Sequence, residues 1–223
     1  VEAGMEAKTV IIRNMTQTAL ADSARELEEA IKASQILFLP GGFSGGDEPE
    51  GSAKFMVSFL RNPRLAEAIT HLLKNRDGLA LGICNGFQAL VKLGLLPYGE
   101  IRDMTSESPT LTYNAIGRHQ SSIVRTRVCS NLSPWLMEAA VGEVYNVAVS
   151  HGEGRFIASE EMLKQLAAAG QIATQYVDEA GVPSMATAVT PNGSFWAIEA
   201  ITSPDGRILG KMGHSERVGK HLY

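Results

Sequence analysis

Hydrophobic and polar positions follow two different periods along the first half of the chain. Short apolar runs bounded by glycine or polar residues predict buried strands, and longer segments with an apolar residue every three or four positions predict amphipathic helices. The predicted elements are a strand over 8–13, a helix over 18–34, a strand with its exit loop over 35–42, helices over 51–62 and 63–76, and a strand over 78–83. This alternation indicates βαβ units around a largely parallel sheet.

The pattern changes after Leu96, where the β-type runs become shorter. They occupy 121–128, 144–150, 173–178, 185–190, 195–202 and 207–213. The turn sequences "PNG" at 191–193 and "PDG" at 204–206 separate the later runs and favour hairpins. We therefore expect an α/β fold whose mostly parallel central sheet is flanked by helices, with an additional antiparallel hairpin region.

Composition narrows the class of protein. The 223 residues are 44% hydrophobic, which is enough for one domain with a sizeable core. Twenty basic and 24 acidic residues give a net charge of -4 without a long basic run, which argues against nucleic acid and anionic membranes as partners. No apolar stretch approaches the roughly 18 residues of a membrane span, and no charged-then-apolar leader is present, so we expect a cytoplasmic protein.

One of the two cysteines occupies a position typical of a nucleophile. Cys84 lies in "GLALGICNGFQALVKLG", between a predicted strand and an amphipathic segment, which predicts a strand, a sharp turn and a helix. Gly82 and Gly86 allow a tight backbone passage on either side. A helix N-terminus at this point favours the thiolate and offers N–H groups to a developing oxyanion, so the arrangement suits acyl transfer through a thioester.

The simpler interpretation is that Cys84 is a small buried hydrophobic residue, as most free cysteines are. The glycine-rich loop "FLPGGFSGGD" favours the nucleophile, because it follows the preceding strand and its N–H groups would face the same crevice. The second cysteine, Cys129, has no such context. Two cysteines without a CxxC motif indicate free thiols rather than a disulfide framework or a metal site.

A cysteine nucleophile needs a base, and the base needs an orienting group. Among the five histidines, His71 is predicted to be structural or exposed on a helix, and His119 and His221 have no matching signal. His151 and His214 both stand in H-x-E motifs, "SHGEGRF" and "GHSER". Because alternate residues of an extended segment face the same side, either glutamate could orient its own histidine. The residues alone do not choose between the two.

Four ordered motifs resemble those of a known enzyme family. Their order resembles that of the class I, or triad, glutamine amidotransferases: "LPGGFSGGD", "GICNGFQ", "SHGEGR" and "GHSER". The resemblance implies a flavodoxin-like fold. More narrowly the motifs resemble those of the glutaminase domains of phosphoribosylformylglycinamidine synthases, which act in purine biosynthesis. The resemblance covers nearly all of 1–223 as one glutaminase domain.

The resemblance implies roles for individual residues. It makes Cys84 the nucleophile, His214 its base and Glu216 the carboxylate that orients the base, and it gives the oxyanion hole to the backbone N–H groups of Gly42 and Asn85. The implied glutamine-binding residues are Phe43, Gln88, Ser150, His151, Gly152 and Glu153. Arg155 would anchor the loop of residues 150–153 through Glu153, although an ordinary surface ion pair is the simpler interpretation.

The resemblance also implies the reaction and its partner. The domain would hydrolyse L-glutamine and pass ammonia to a synthetase, on the same chain or a partner subunit, that converts formylglycinamide ribonucleotide to the amidine. ATP and Mg²⁺ would belong to that partner, and this domain would hold no metal or cofactor.

The sequence departs from the family at several positions. Ser215 stands where "HPER" has proline, and Phe87 where a second cysteine is common. The acidic segment Asp47–Gly51 lengthens one loop and is most simply a solvated cap on the next helix, with docking as the less favoured interpretation. The family's first strand and closing helix would fall outside 1–223, so we expect the fold to be incomplete over this range.

Two other classes of function fit parts of the pattern. A cysteine hydrolase or chaperone of the DJ-1/PfpI type shares the cysteine turn but has no need of Gln88 or the "SHGEGR" loop. A non-catalytic interaction domain would tolerate loss of the predicted triad, which is intact in this sequence.

Overall fold

The computed structural model describes residues 4–42 and 53–217, and the elements below lie within these ranges. The helices are α1 (Gln17–Ala33), α2 (Lys54–Leu60), α3 (Pro63–Asn75), α4 (Asn85–Leu93), α5 (Leu95–Tyr98) and α6 (Glu160–Ala168). The strands are β1 (Ile36–Leu39), β2 (Leu79–Ile83), β3 (Thr110–Thr112), β4 (Gln120–Val128), β5 (Val144–His151), β6 (Arg155–Ile157), β7 (Ile172–Tyr176), β8 (Ile198–Thr202) and β9 (Ile208–Lys211).

Seven of these strands form one sheet, in the order β1-β2-β9-β8-β7-β4-β5. β1, β2 and β9 run parallel, and the four remaining pairings are antiparallel. The expected α/β class and its antiparallel region are therefore confirmed, with a larger antiparallel share among the described strands than the sequence suggested. The "PDG" turn joins β8 to β9 as predicted, through a bond from the Gly206 N–H to the Ser203 carbonyl.

Local signals explain where the early helices begin. The hydroxyl of Thr16 accepts the Ala19 N–H at the start of α1, and Ala24 and Ile31 on the predicted apolar face are buried. Asn62 caps α3, whose first residue is Pro63. A side-chain acceptor and an early proline both suit the unpaired N–H groups of a first turn. Apolar residues of these two helices form one buried core with those of β1 and β2.

Two predicted strands are wrong. Residues 8–13 form no strand, and the Arg13 N–H donates instead to the hydroxyl of Ser23 on α1. Residues 185–190 also form no strand, because the N–H groups of Val189 and Thr190 both donate to the carbonyl of Ala186 and close a turn. Their apolar, β-type residues predicted strands, but a strand also needs a neighbour that pairs with its backbone.

Within residues 4–42 and 53–217, no helix is both long and apolar enough to cross a membrane.

Candidate active site

Cys84 lies at a sharp turn between β2 and α4. Its backbone has φ 51° and ψ -106°, an unfavourable conformation for a residue with a side chain. The turn is held on both sides, since the Cys84 N–H donates to the Lys211 carbonyl at 2.8 Å and its carbonyl accepts the Gln88 N–H at 3.1 Å. The predicted arrangement of strand, turn and helix is therefore present, with the cysteine at the carboxyl edge of the sheet.

Two glycines allow this turn to fit against its neighbours. A Cβ on Gly86 would lie 1.9 Å from the carbonyl oxygen of Leu39 on β1, and a Cβ on Gly82 would lie 2.6 Å from the carbonyl oxygen of Gly86. Neither site has room for a side chain. The close backbone approach sets the position of Cys84 relative to β1 and to the loop that follows it.

The thiol of Cys84 is buried and protonated at neutral pH. Burial raises its pKa to about 11, although the backbone N–H groups of Asn85 and Gly42 act in the opposite direction. The N–H groups at the helix N-terminus therefore favour the thiolate, as expected, but desolvation of the buried sulfur outweighs them. The same two N–H groups are the ones predicted for the oxyanion hole, and the structure brings both to the sulfur.

His214 and Glu216 form a pair beside the cysteine. His214 follows β9, the parallel neighbour of β2, so the carboxyl ends of the two strands bring the cysteine and the imidazole to one edge. The Nδ1 atom of His214 lies 2.6 Å from Oε1 of Glu216. A Cβ on Gly41 would lie 2.8 Å from Cε1 of His214 and 3.3 Å from Cβ of Cys84, so both side chains flank this glycine.

The other ring nitrogen of His214 has no protein partner. Nε2 is one of three buried side-chain polar atoms in the described ranges without a hydrogen bond. Nδ1 is occupied by the carboxylate, so Nε2 is the atom that remains for proton transfer. A carboxylate on one nitrogen and a free second nitrogen is the arrangement that general base catalysis requires.

The second H-x-E motif is arranged differently. Nδ1 of His151 lies 3.1 Å from Oδ1 of Asn114, so an amide oxygen takes the orienting position. The Gly154 N–H also donates to that oxygen, at 3.0 Å. Oδ1 is therefore an acceptor, Nδ1 carries the proton, and Nε2 of His151 is an unpartnered buried acceptor. Burial lowers the pKa of His151 to about 4, which keeps the ring neutral.

The structure gathers most of the predicted glutamine-binding residues around Cys84. The Gln88 side-chain amide donates to the carbonyl of Glu153, and the thiol of Cys84 lies 3.8 Å from the carbonyl of Ser150. Gly152 accepts the Asn114 N–H at 2.8 Å. Phe43 and the Asp47–Gly51 segment lie outside the described residues. The roles of these residues in binding stay predictions.

Two contacts near the site differ from the sequence analysis. Nε2 of His119, which had no matching signal, lies 3.1 Å from the hydroxyl of Ser150. Arg155 donates from Nε to the Gly193 carbonyl at 3.2 Å and lies over the Phe195 ring, 5.5 Å from its centroid. Its guanidinium therefore joins the loop to the turn before β8.

Sequence reasoning missed two buried polar residues that hold the site. The side chain of Asn114 makes three hydrogen bonds with the 151–154 loop and also donates to the Arg118 carbonyl at 3.0 Å. Glu199, completely buried on β8, accepts the Gly213 N–H next to His214. Neither residue stands in a recognisable motif. An isolated asparagine after a threonine-rich run and an isolated glutamate in an apolar strand gave no signal beyond their polarity.

Comparison with known proteins agrees with this geometry. The whole chain, residues 1–223, matches the family described as the CobB/CobQ-like glutamine amidotransferase domain. The phosphoribosylformylglycinamidine synthase subunit PurQ of Synechococcus sp. (strain JA-3-3Ab) is 35% identical over 192 residues, which cover 85% of this chain and 72% of that protein. The phosphoribosylformylglycinamidine synthase of Drosophila melanogaster is 32% identical over 183 residues, covering 81% of this chain but 13% of the longer protein.

A solved structure gives the same result. The structure of PurLQS from Thermotoga maritima aligns with a TM-score of 0.62 at 26% identity, over 84% of this chain and 72% of that chain. The chain belongs to the glutamine amidotransferase family. Within that family its similarity is to the PurQ subunits and to the corresponding part of the fused synthase, which confirms the resemblance drawn from the four motifs.

Proposed function

We propose that this chain is the glutaminase component of a phosphoribosylformylglycinamidine synthase. It would hydrolyse L-glutamine to glutamate and ammonia, and the ammonia would go to a synthetase that uses it in purine biosynthesis. The observation that carries this proposal is the strained turn of Cys84 with the His214–Glu216 pair beside it. The family match supports it and does not favour a DJ-1/PfpI-type hydrolase or a non-catalytic domain.

The protonated resting thiol determines how the first step begins. Since burial raises the pKa of Cys84 to about 11, the sulfur loses its proton to Nε2 of His214 as it attacks the carboxamide carbon of glutamine. Glu216 stabilises the imidazolium that forms. The N–H groups of Gly42 and Asn85 donate hydrogen bonds to the carboxamide oxygen and stabilise the negative charge that develops on it.

The remaining steps use the same groups. The tetrahedral intermediate collapses, the C–N bond breaks, and His214 gives its proton to the departing nitrogen, which leaves as ammonia and leaves a glutamyl thioester on Cys84. His214 then takes a proton from water as the water oxygen attacks the thioester carbon. The C–S bond breaks to release glutamate, and His214 returns that proton to the sulfur, which restores the Cys84 thiol. No step needs a metal or a cofactor in this domain.

The synthetase partner completes the proposal. We assign ATP and Mg²⁺ to that partner and a cytoplasmic location to the complex. The relatives include both separate PurQ subunits and a fused synthase, so the partner is either a second subunit or another part of the same chain.

Replacing the nucleophile tests the proposal in the complete synthase. Cys84→Ser should abolish the glutamine-dependent reaction and leave the ammonia-dependent reaction unchanged, because the thiolate is needed only to release ammonia. Cys129→Ser is the matched control, since Cys129 is the other free thiol but is only half-buried and donates to Oε1 of Gln175 at 3.1 Å, outside the site. An electrophilic glutamine analogue should label Cys84 alone. Equal loss with both nitrogen sources, or stoichiometric labelling at Cys129, would show that the assignment is wrong.

A further inference from the structure

Glu199 is a buried carboxylate that the mechanism above does not use. It lies on β8 between β7 and β9 and has no solvent-exposed surface. Its two oxygens have separate partners, because Oε1 accepts the Gly213 N–H at 2.6 Å and Oε2 accepts the hydroxyl of Thr174 on β7. Burying a carboxylate is costly unless it is hydrogen-bonded, so a residue needed only to fill space here would be apolar.

The partner of Oε1 is the residue immediately before the proposed base. The three residues that follow β9, 212–214, all donate backbone hydrogen bonds. The N–H groups of Met212 and Gly213 donate to the carbonyl and the side chain of Glu199, at 3.2 and 2.6 Å, and that of His214 donates to the Ala148 carbonyl on β5 at 2.8 Å. The backbone that carries the imidazole is therefore fixed from both sides, and Glu199 supplies one of those sides.

Tight packing around Gly213 leaves no room for another group beside the bond between its N–H and Glu199. A Cβ on Gly213 would lie 2.8 Å from Oε1 of Glu199 and 2.8 Å from Cγ2 of Val147, so the carboxylate and β5 enclose this residue. Thr174 fixes the other carboxylate oxygen and with it the direction of Oε1. A change at either side chain would leave the Gly213 N–H with a poorly aligned partner or none.

We propose that Glu199, oriented by Thr174, is a positioning residue that sets the imidazole of His214 relative to Cys84. It acts through the backbone of Gly213 and touches neither substrate nor sulfur. This inference rests on the proposed function, since it concerns the base of that reaction. Its consequence is that loss of the Glu199 hydrogen bonds should lower turnover while glutamine binding is retained.

Three substitutions in the complete synthase test whether Glu199 positions His214 or only fills space in the core. Glu199→Leu and Thr174→Val remove hydrogen bonds at nearly constant volume, and Glu199→Gln keeps an acceptor for Gly213 and a donor for Thr174. We expect Glu199→Leu to lower the glutaminase kcat by about 10- to 100-fold, as a displacement of about 1 Å would, with KM within about threefold. Glu199→Gln should restore most of kcat, and Thr174→Val should fall between the two.

The matched control is Gln171, another buried polar side chain. Its amide donates to the carbonyls of Pro97 and Thr202, at the end of β8 away from the site. Gln171→Leu should lower stability without changing kcat. If Gln171→Leu lowered kcat as much as Glu199→Leu, removal of any buried polar side chain near this sheet would have the same effect. That result would overturn the proposal.

A double-mutant cycle tests whether the effect passes through His214. The measured quantity is the rate of Cys84 alkylation by iodoacetamide, with and without His214→Ala. Glu199→Leu should slow alkylation in the wild-type background and have little further effect in the His214→Ala background, because a positioning residue has nothing left to position. Additive losses in the cycle would refute the inference.

Failure of the proposed function has a different signature. If wild-type synthase with Cys84 intact had no glutamine-dependent activity, the glutaminase assignment itself would be wrong. If wild-type activity were normal and Glu199→Leu retained its kcat, the assignment would stand and the positioning role of Glu199 would be wrong.

Discussion

Replacement of Gly86 by alanine tests the geometry of the cysteine turn. The new Cβ would lie 1.9 Å from the carbonyl oxygen of Leu39, 2.6 Å from its carbonyl carbon and 2.9 Å from its Cβ. Contacts under 3.0 Å essentially do not occur at real Cβ atoms. Two of these three atoms are backbone, so no side-chain rotation relieves the contact. α4 and β1 must separate by about 1 Å, since packed interiors have no spare volume to absorb it.

This displacement sets the size of the expected effects. Overpacking of this kind costs about 1–3 kcal/mol of the free energy of unfolding. α4 begins at Asn85, directly after Cys84. The shift would therefore also misalign the Cys84 sulfur and the Asn85 N–H with the loop of Gly42. A misplacement of about 1 Å is expected to lower kcat by about 100-fold.

The assay combines steady-state glutaminase kinetics with urea unfolding of the same preparations. Gly78→Ala is the matched control, because a Cβ there would lie 2.4 Å from Cδ1 and 2.8 Å from the carbonyl oxygen of Leu72, at the opposite end of β2. The control should lose stability but keep its kcat. A Gly86→Ala protein with wild-type kcat and stability would refute the reasoning, and so would an equal kcat loss in both variants.

Further predictions concern the two histidines. His214→Ala should lower kcat by about 10² to 10⁴ with a modest change in KM, whereas His151→Ala should act mainly on the KM for glutamine. If His151→Ala lowered kcat and His214→Ala changed mainly KM, the triad would instead consist of Cys84, His151 and Glu153. The pKa of His151 is about 4 in the folded protein, below the ordinary 6.5, so its neutral form contributes stability that is present above pH 6.5 and lost as the pH falls toward 4. The free energy of unfolding should therefore fall by about 2 kcal/mol more between pH 7 and pH 5 in wild type than in His151→Leu, and equal slopes in urea titrations would contradict this.

The cysteine turn could be predicted from the sequence because its requirements are local. An apolar strand, a glycine two residues to either side and an amphipathic helix are all readable within 78–94. The parallel neighbours β1 and β2 were predictable for the same reason. The two H-x-E motifs were not separable, because the difference lies in a residue far along the chain. Asn114 is 37 positions from His151 and takes the place that Glu216 has beside His214.

The missed residues and wrong strands share a physical cause. Glu199 gains its role from Thr174 and Gly213, which reach it only when β7, β8 and β9 are side by side. The segment 185–190 has the residue types of a strand, but the N–H groups of Val189 and Thr190 are used in a local turn. Pairing partners of buried polar groups and of strand backbones are set by the tertiary fold, and one sequence does not state them.

The burial of Cys84 also affects how readily its thiol is oxidised. With a pKa of about 11, only about one thiol in 10⁴ is ionised at neutral pH. Hydrogen peroxide attacks thiolates, and the oxidation of cysteine begins from that form. The Cys84 thiol is thus held in the form that peroxide attacks slowly. Desolvation, which opposes ionisation of the sulfur, therefore also opposes its oxidation.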